Sequence, residues 1–407
     1  MNEQTQNNHP PRPLEGVRIL EMGQLLAGPF AAVLLGWFGA EVIKIEPPGV
    51  GDPLRKWRKM HNGTALWWYI LGRNKKCVTL NLRDPRGHEI VRQLVGKVDV
   101  LIENFKPGTL EKWGLGYEEL KQINPQLIMS RVSGYGQTGP YSSRPGYASV
   151  AEGYGGFRYI NGFPDRPPAR PNLSLGDTLA GLHSALGILM ALYHRDAKQT
   201  GQGQMIDVAI YEAVFNMMES MIPEYDKLGE IRERQGAKLS GIVPTNTYPT
   251  KDGKYVIIGG NGDSIYKRLM TAAGREDLAN DSRLEHNDGR VTHEAEIDAA
   301  IEAWTRANNY DDIYKILDEA GVPVGPIYSA ADMVNDPHFI ARGLFEDADI
   351  GNGETVKLPT FVPKLSATPG GTEWIGPPLG SHNQEIYCEF LGMKDAEFQR
   401  LQQDGVI

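Results

Sequence analysis

GVRILEMGQLLAGPFAAVLLGWFGAEVIKIEPPGVGD, residues 16–52, decides how the rest of the chain is read. GVRILEMG (16–23) has the apolar density of a buried strand. Gly28-Pro29 then opens a helical segment, and AEVIKIE (40–46) is a second strand that PPGVGD ends with turn residues. The pattern continues outward. CVTLNL (77–82) is a third strand, followed by a helix in DPRGHEIVRQLVGKV with Asp84 at its cap and Pro85 at its first position. DVLIENF (99–105) and PQLIMSRVSGYG (125–136) extend the alternation. Strands alternating with helices over such a length predict a parallel sheet in an α/β fold. Parallel sheets of this kind receive ligands beyond the carboxyl ends of their strands. Here those ends read LEMGQLLAGP, KIEPPGVGD, LNLRDPRG, ENFKPG and SGYGQTGP, all rich in Gly, Pro and polar residues.

The middle of the chain is helical. In residues 175–196, Leu175, Leu179, Leu182, Leu186, Leu189 and Tyr193 recur at helical spacing, which predicts that this face is core. QTGQGQ (199–204) reads as a loop, and MIDVAIYEAVFNMMESMIPEY as a strand running into a helix. Composition turns charged and Gly-containing near residues 226–241, marking a crossing into a second, α+β domain. That domain has a hairpin around Asp252-Gly253, acidic amphipathic helices over about 265–320 and a strand in GVPVGPIYS. From Asp336-Pro337 onward the chain reads as loop-rich, with a closing helix. The expected division is a disordered leader over 1–12, a large domain from 13–225 and 335–407, and a small domain over 226–334.

A chain of 407 residues exceeds what one core supports, in keeping with two domains. With 41% hydrophobic residues and no three-residue glycine period, disorder and collagen are excluded. No uninterrupted apolar run reaches the roughly 18 residues of a membrane span; the best, 179–193, is broken by Gly181, His183, Ser184 and Gly187. The polar, Pro-rich start is neither signal nor transit peptide. Two cysteines build no disulfide framework, so a cytoplasmic location is expected. A net charge of −9 argues against a nucleic-acid partner. Yet residues 44–86 hold ten Lys/Arg against three Asp/Glu, net +7, leaving −16 elsewhere. Charge patterning alone leaves two readings, a solvated face or a docking surface for a polyanionic small molecule.

The chain has no GxxxxGK[ST], HExxH or GxSxG, and its histidines are scattered, so no resident metal or cofactor is expected. Cys77 sits mid-strand as a small core residue. Asp177 stands out because it follows Leu175-Gly176 where the long apolar helix begins. One reading makes it an ordinary helix cap. The other uses the same geometry: a carboxylate held ionised by the helix dipole is a nucleophile toward a reactive acyl group. Spacing leaves both open.

The ordered set LEMGQLLAGP, EVIKIEPPGVGDPLR, LNLRDPRG, ENFKPGTLEKWGLGYEEL, INPQLI, SGYGQTGP, LGDTLAG, GQGQMIDVAIYEA, GVPVGPI and PPLGSHN resembles the class III CoA-transferases, from about residue 13 to the C-terminus. The resemblance implies a Rossmann-like large domain, a small central domain, and a homodimer whose chains thread through one another as interlocked rings. It implies acyl-CoA and a small carboxylic acid as substrates, with no nucleic acid, membrane or permanently bound cofactor. The family's nucleophile falls on Asp177. Its CoA contacts fall on Leu26, Ala27, Leu80, Asn81, Arg83, Asn104, Phe105, Lys106, Lys112 and Tyr147.

Three departures narrow the substrate. KLSGIVP (238–244) stands where formyl-CoA:oxalate enzymes carry a four-glycine loop, while Ala148 and Pro145 replace an acidic residue and a lysine beside Tyr147. SGIVP and ARPNLSLGD are instead similar to succinyl-CoA-dependent enzymes acting on four- to six-carbon dicarboxylates. Arg170 is then expected to pair the acceptor's distal carboxylate, since a guanidinium binds carboxylates bidentately; the alternative is a surface residue in a Pro-rich loop. An α-methylacyl-CoA racemase on the same fold is the competing activity. Its acid–base pair uses a His where this chain has Tyr147. A CoA-binding scaffold without chemistry is a third reading, against which the intact LGDTLAG argues.

Overall fold

The computed structural model describes residues 11–407; all but the last two residues of the expected leader fall outside them. The described residues form two compact units, 11–157 with Pro171–Glu219 and Ile340–Ile407, and Arg158–Arg170 with Ser220–Phe339.

The first unit is built on six strands: β1 (Arg18–Glu21), β2 (Glu41–Glu46), β3 (Lys75–Thr79), β4 (Val100–Glu103), β5 (Ile128–Ser133) and β6 (Met205–Ala209). They lie in the order β3-β2-β1-β4-β5-β6, and every neighbouring pair is parallel. All carboxyl ends therefore share one edge, as the α/β reading required. Alternate residues serve opposite faces, the two-residue period of a strand. Leu20, Ile43, Val78, Leu101 and Met129 pack beneath α2 (Pro85–Val95) and the chain's C-terminal Leu401 and Ile407. Ile19, Val42, Val100 and Ile128 pack beneath α1 (Ala27–Trp37) and a later helix carrying Ala185 and Ile188. Asp84 caps α2 by accepting the Arg86 N–H at 2.9 Å, with Pro85 at the first helical position. The third strand begins two residues earlier than its sequence suggested, because Lys75 and Lys76 belong to it.

That later helix, α4 (Leu175–Leu192), follows the short α3 (Ala148–Tyr154). It corrects the sequence analysis twice. Its buried face is made of Gly176, Ala180, Gly181, Ser184, Ala185, Ile188, Ala191 and Leu192, whereas Leu182, Leu186, Leu189 and Tyr193 are 45%, 50%, 41% and 59% exposed. Small residues win the inner face because α1 approaches closely: a Cβ on Gly181 would lie 2.8 Å from the Ala27 carbonyl oxygen and 3.0 Å from Phe30. The leucine stripe points outward. In addition, residues Leu175–Ala197 are long and apolar enough, at mean hydropathy 1.4, to cross a membrane by length and composition.

The chain returns to the edge strand through a loop where the Gly203 N–H donates to the Pro125 carbonyl at 3.0 Å. A Cβ there would stand 2.1 Å from the Leu127 carbonyl oxygen, a backbone atom with no freedom to retreat. Gly203→Ala is expected to cost about 1–3 kcal/mol, read as a lowered urea midpoint at unchanged slope.

The second unit carries an antiparallel sheet of β7 (Thr245–Pro249), β8 (Tyr255–Gly259) and β9 (Val324–Pro326), ordered β9-β8-β7. The β7–β8 turn holds Gly253 at φ +76°, a left-handed conformation natural to glycine. Helices over Asp263–Ala272, Glu294–Ala307 and Tyr310–Glu319 bury Leu269, Ile297, Ile301 and Leu317 against Tyr248, Val256 and Ile258. Arg290, fully buried, donates to the carbonyls of Val243, Leu284, Glu285 and Asn261 and to Asp263.

The stretch after Asp336-Pro337 is not all loop. Within the first unit, β10 (Phe345–Gly351) and β11 (Glu354–Pro359) form an antiparallel hairpin turning at Asn352-Gly353, both at positive φ. The Asn-Gly pair was a readable hairpin signal that the sequence analysis passed over.

Candidate active site

Asp177 lies in the first turn of α4, half-buried, three residues after the cap position Ser174. It is therefore not the helix cap, which corrects the structural reading of this residue. The helix dipole favours a negative charge there by about 0.3–1 kcal/mol. Two neighbouring N–H groups are already engaged. Gly176 donates to Glu152 Oε1 at 3.3 Å, and Thr178 donates to the Ser174 carbonyl at 3.1 Å. Glu152 is fully buried on α3. Gly176 is small because Ile210, Ala148 and Glu152 crowd it: a Cβ would meet them at 3.1, 3.3 and 3.4 Å.

One turn further along α4, Gly181 rests on the Ala27 carbonyl. This contact draws the start of α4 to the start of α1, and hence Asp177 to the Leu26-Ala27 loop. Leu26 is the residue before α1 and Ala27 its first residue, and both are buried. Tyr147, 73% exposed, is the residue before α3 and adjoins Ala148, which packs on Gly176. Asn104, just beyond β4, grips the same loop from the other side. Its Oδ1 accepts the Gln24 N–H and its Nδ2 donates to the Gln24 carbonyl, each at 2.8 Å. Asp177, Ala27, Asn104 and Tyr147 thus gather at the carboxyl edge of the sheet.

The other expected contacts flank this group. Leu80 is buried after β3, while Asn81 accepts the Arg83 N–H at 3.0 Å and leaves the Arg83 side chain exposed. Phe105 stacks edge-on against Trp113, with Lys106 and Lys112 exposed nearby in sequence. A buried ion cluster fixes this side. Glu103 accepts Arg131 Nε at 2.7 Å and the Phe105 N–H at 2.7 Å, and Arg131 also binds Glu111, the residue before Lys112. Arg170 is exposed and ends a segment of the second unit, whereas Asp177 belongs to the first.

Much of the +7 stretch is taken up in ion pairs within the fold. Lys44, Arg73 and Lys75 are buried and ion-paired, and Arg55, Lys76 and Arg86 pair with Glu46, Glu41 and Asp84. Lys56, Arg58, Lys59 and Arg83 remain on the surface, Arg58 over the Trp67 ring at 4.1 Å. Burial would raise the Asp52 carboxyl, but Lys44 and the Leu54 and Leu25 N–H groups hold it below the usual range. Burial pushes the Cys77 thiol well up, which fits an inert core residue. Among the described residues, no group of three or more His, Cys, Asp or Glu is placed to hold a metal ion.

Sequence reasoning did not single out Glu152, Asp52 or Arg131. A signal for the last existed: charged residues inside strands of a sheet covered on both faces must be buried and paired.

Residues 14–383 match the CoA-transferase family III. Succinyl-CoA--D-citramalate CoA-transferase of Chloroflexus aurantiacus is 52% identical over 405 residues, spanning 98% of this chain and 100% of the relative. The alpha subunit of succinyl-CoA--L-malate CoA-transferase from Chloroflexus aurantiacus is 44% identical over 400 residues, spanning 97% of this chain and 92% of the relative. Among solved structures, a CAIB/BAIF family protein from Brucella suis matches with a TM-score of 0.81 at 36% identity, covering 93% of this chain and 99% of that one.

Proposed function

Since this chain belongs to CoA-transferase family III, we propose that it moves coenzyme A from succinyl-CoA to a four- to six-carbon dicarboxylic acid, with Asp177 as the nucleophile. The observation that carries this reading is the position of Asp177 in the first turn of α4, drawn against the Leu26-Ala27 loop at the sheet's carboxyl edge. Relatives at 52% and 44% identity bear the names of hydroxydicarboxylate acceptors, which favours a short acid with two carboxylates.

The chemistry splits one difficult displacement into attacks on activated acyl groups. An Asp177 carboxylate oxygen attacks the thioester carbonyl, the carbon–sulfur bond breaks, and a succinyl–aspartyl anhydride forms with release of CoA thiolate. The thiolate attacks the aspartyl carbonyl, the anhydride C–O bond breaks, and succinate leaves an aspartyl-CoA thioester. The acceptor carboxylate attacks that thioester to give a second anhydride and free thiolate. The thiolate then attacks the acceptor's acyl carbon, forming the product thioester and restoring Asp177. The Gly176 and Thr178 N–H groups are committed to Glu152 and Ser174, so oxyanion donors come from elsewhere in the site. Water must be excluded while the anhydride exists.

Leu26, Ala27, Leu80, Asn81, Arg83, Asn104, Phe105, Lys106, Lys112 and Tyr147 are the CoA-binding set in this reading, with Arg83, Lys106 and Lys112 facing its phosphates. The working form is an intertwined homodimer in the cytoplasm, for which the outward leucine stripe of α4 supplies apolar surface. Residues 13–225 and 335–407, apart from the 158–170 segment that packs with the second unit, serve as the CoA-binding domain, and 226–334 as the small domain. Arg170 pairs the acceptor's distal carboxylate. Arg170→Ala is expected to raise the acceptor KM by about 10- to 100-fold, the worth of a charged hydrogen bond of roughly 1.5–3 kcal/mol, with the succinyl-CoA KM unchanged. An unchanged acceptor KM removes that role.

The test is transfer from succinyl-CoA to a panel of mono- and dicarboxylic acids, read as new acyl-CoA by chromatography. New thioesters with dicarboxylates alone support the reading. Slow hydrolysis of succinyl-CoA with no transfer to any acid contradicts it.

A further inference from the structure

Beneath the Leu26-Ala27 loop lie charges that the transfer chemistry leaves unused. Glu21, Lys44, Lys75 and Asp52 are each no more than 1% exposed. Glu21 holds one lysine with each carboxylate oxygen, Lys44 Nζ at 2.8 Å and Lys75 Nζ at 2.6 Å. Each lysine also donates to a backbone carbonyl at one end of the loop, Lys44 to Gly23 and Lys75 to Pro29, both at 2.9 Å. Lys44 further binds Asp52 Oδ2 at 2.9 Å. Asp52 in turn accepts the Leu25 N–H, at 3.2 Å from both its oxygens. Leu25 stands at φ +64°, a left-handed conformation that leucine rarely adopts.

We propose that Glu21, Lys44, Lys75 and Asp52 are positioning residues that hold residues 23–29 in the shape that receives CoA. The proposal rests on the reading of Leu26-Ala27 as a CoA contact and extends it to residues that cannot touch the substrate. Three features lead to it. The grips fall on backbone atoms at the two ends of the loop and at its strained residue, so they fix path rather than fill space. Asn104 completes the set by clamping Gln24 between them. Buried ion pairs are also a poor source of stability, since well-packed apolar side chains of similar volume serve as well or better. A loop that receives a ligand, however, needs its path set before binding, and strained residues persist where the surroundings over-determine them.

The test uses the full chain as wild type, Asp52→Asn and Lys44→Met. Asp52→Asn keeps the volume while removing one of the two carboxylates that Lys44 pairs with. Lys44→Met removes the Gly23 and Asp52 grips with an apolar chain of similar length, and repeats the test should the first variant fold poorly. CoA affinity is measured by calorimetry, KM for donor and acceptor by transfer assay, and amide exchange of residues 23–29 with and without CoA. The expected result is faster exchange at Gln24–Leu26 in the variants. The Kd for CoA and the KM for succinyl-CoA rise together by about 10- to 100-fold, and the acceptor KM stays at its wild-type value. If CoA fails to protect residues 23–29 in the wild type, the reading of that loop as a CoA contact falls and takes this proposal with it. If CoA protects the wild type yet the variants bind it with unchanged Kd, the proposal alone is overturned. A lowered melting temperature with unchanged KM for succinyl-CoA marks a structural role and overturns it as well.

Discussion

Asp177→Asn abolishes transfer, by on the order of 10^4-fold or more, and leaves CoA binding within a few-fold of wild type. The size follows from the chemistry. The amide has the carboxylate's shape but no negative oxygen to attack a thioester, and no second group in the first turn of α4 replaces it. The structure predicts little damage to the fold. Asp177 is half-buried and the helix start is held by Glu152 through Gly176 and by Ser174 through Thr178. Stopped-flow transfer together with CoA calorimetry checks both halves. Retained turnover would move the nucleophile elsewhere, and lost CoA affinity would make Asp177 a binding residue.

The second large effect concerns the outward face of α4. Leu186 and Met190, one turn apart, are 50% and 62% exposed, with Leu182, Leu189 and Tyr193 beside them. A stripe of this kind stabilises an interface by roughly 1.5–3 kcal/mol for each large side chain it buries, and introduced charges reverse that sign. If the proposed homodimer forms through this face, the double variant Leu186→Glu, Met190→Glu loses it and all but about a hundredth of the activity. Sedimentation velocity beside the transfer assay reads both. A variant with wild-type mass and turnover would show that this face covers nothing.

The parallel sheet was legible because its signals are local: apolar strands, turn-rich ends, and Asp84-Pro85 opening α2. The start of α4 was legible through the apolar run that follows it, though its cap was not, since Ser174 rather than Asp177 precedes the helix. What escaped depends on neighbours distant in sequence. Spacing showed that Leu182, Leu186, Leu189 and Tyr193 share a face of α4 but not which face α1 would cover. The contact distance, set by Gly181 against Ala27, gave that place to glycine, alanine and serine. The basic stretch misled for a related reason. Counting charge along the chain does not reveal that Lys44 and Lys75 close on Glu21 from neighbouring strands. EVIKIE carries Lys44 and Glu46 two residues apart in a strand buried on both faces, and such charges must find partners within the fold. Read that way, Lys44 and Glu46 would have pointed to a buried network.

In the proposed mechanism Asp177 carries CoA covalently between donor and acceptor. Intact-protein mass after mixing with succinyl-CoA, followed by peptide mapping, tests it most directly, with Asp177→Asn alongside. The account predicts a CoA-sized adduct on the Asp177 peptide, absent from the variant and discharged by an added dicarboxylate. No adduct with any acyl-CoA, together with exchange of the substrate's α-proton into D₂O, would contradict it and assign the fold to racemase chemistry.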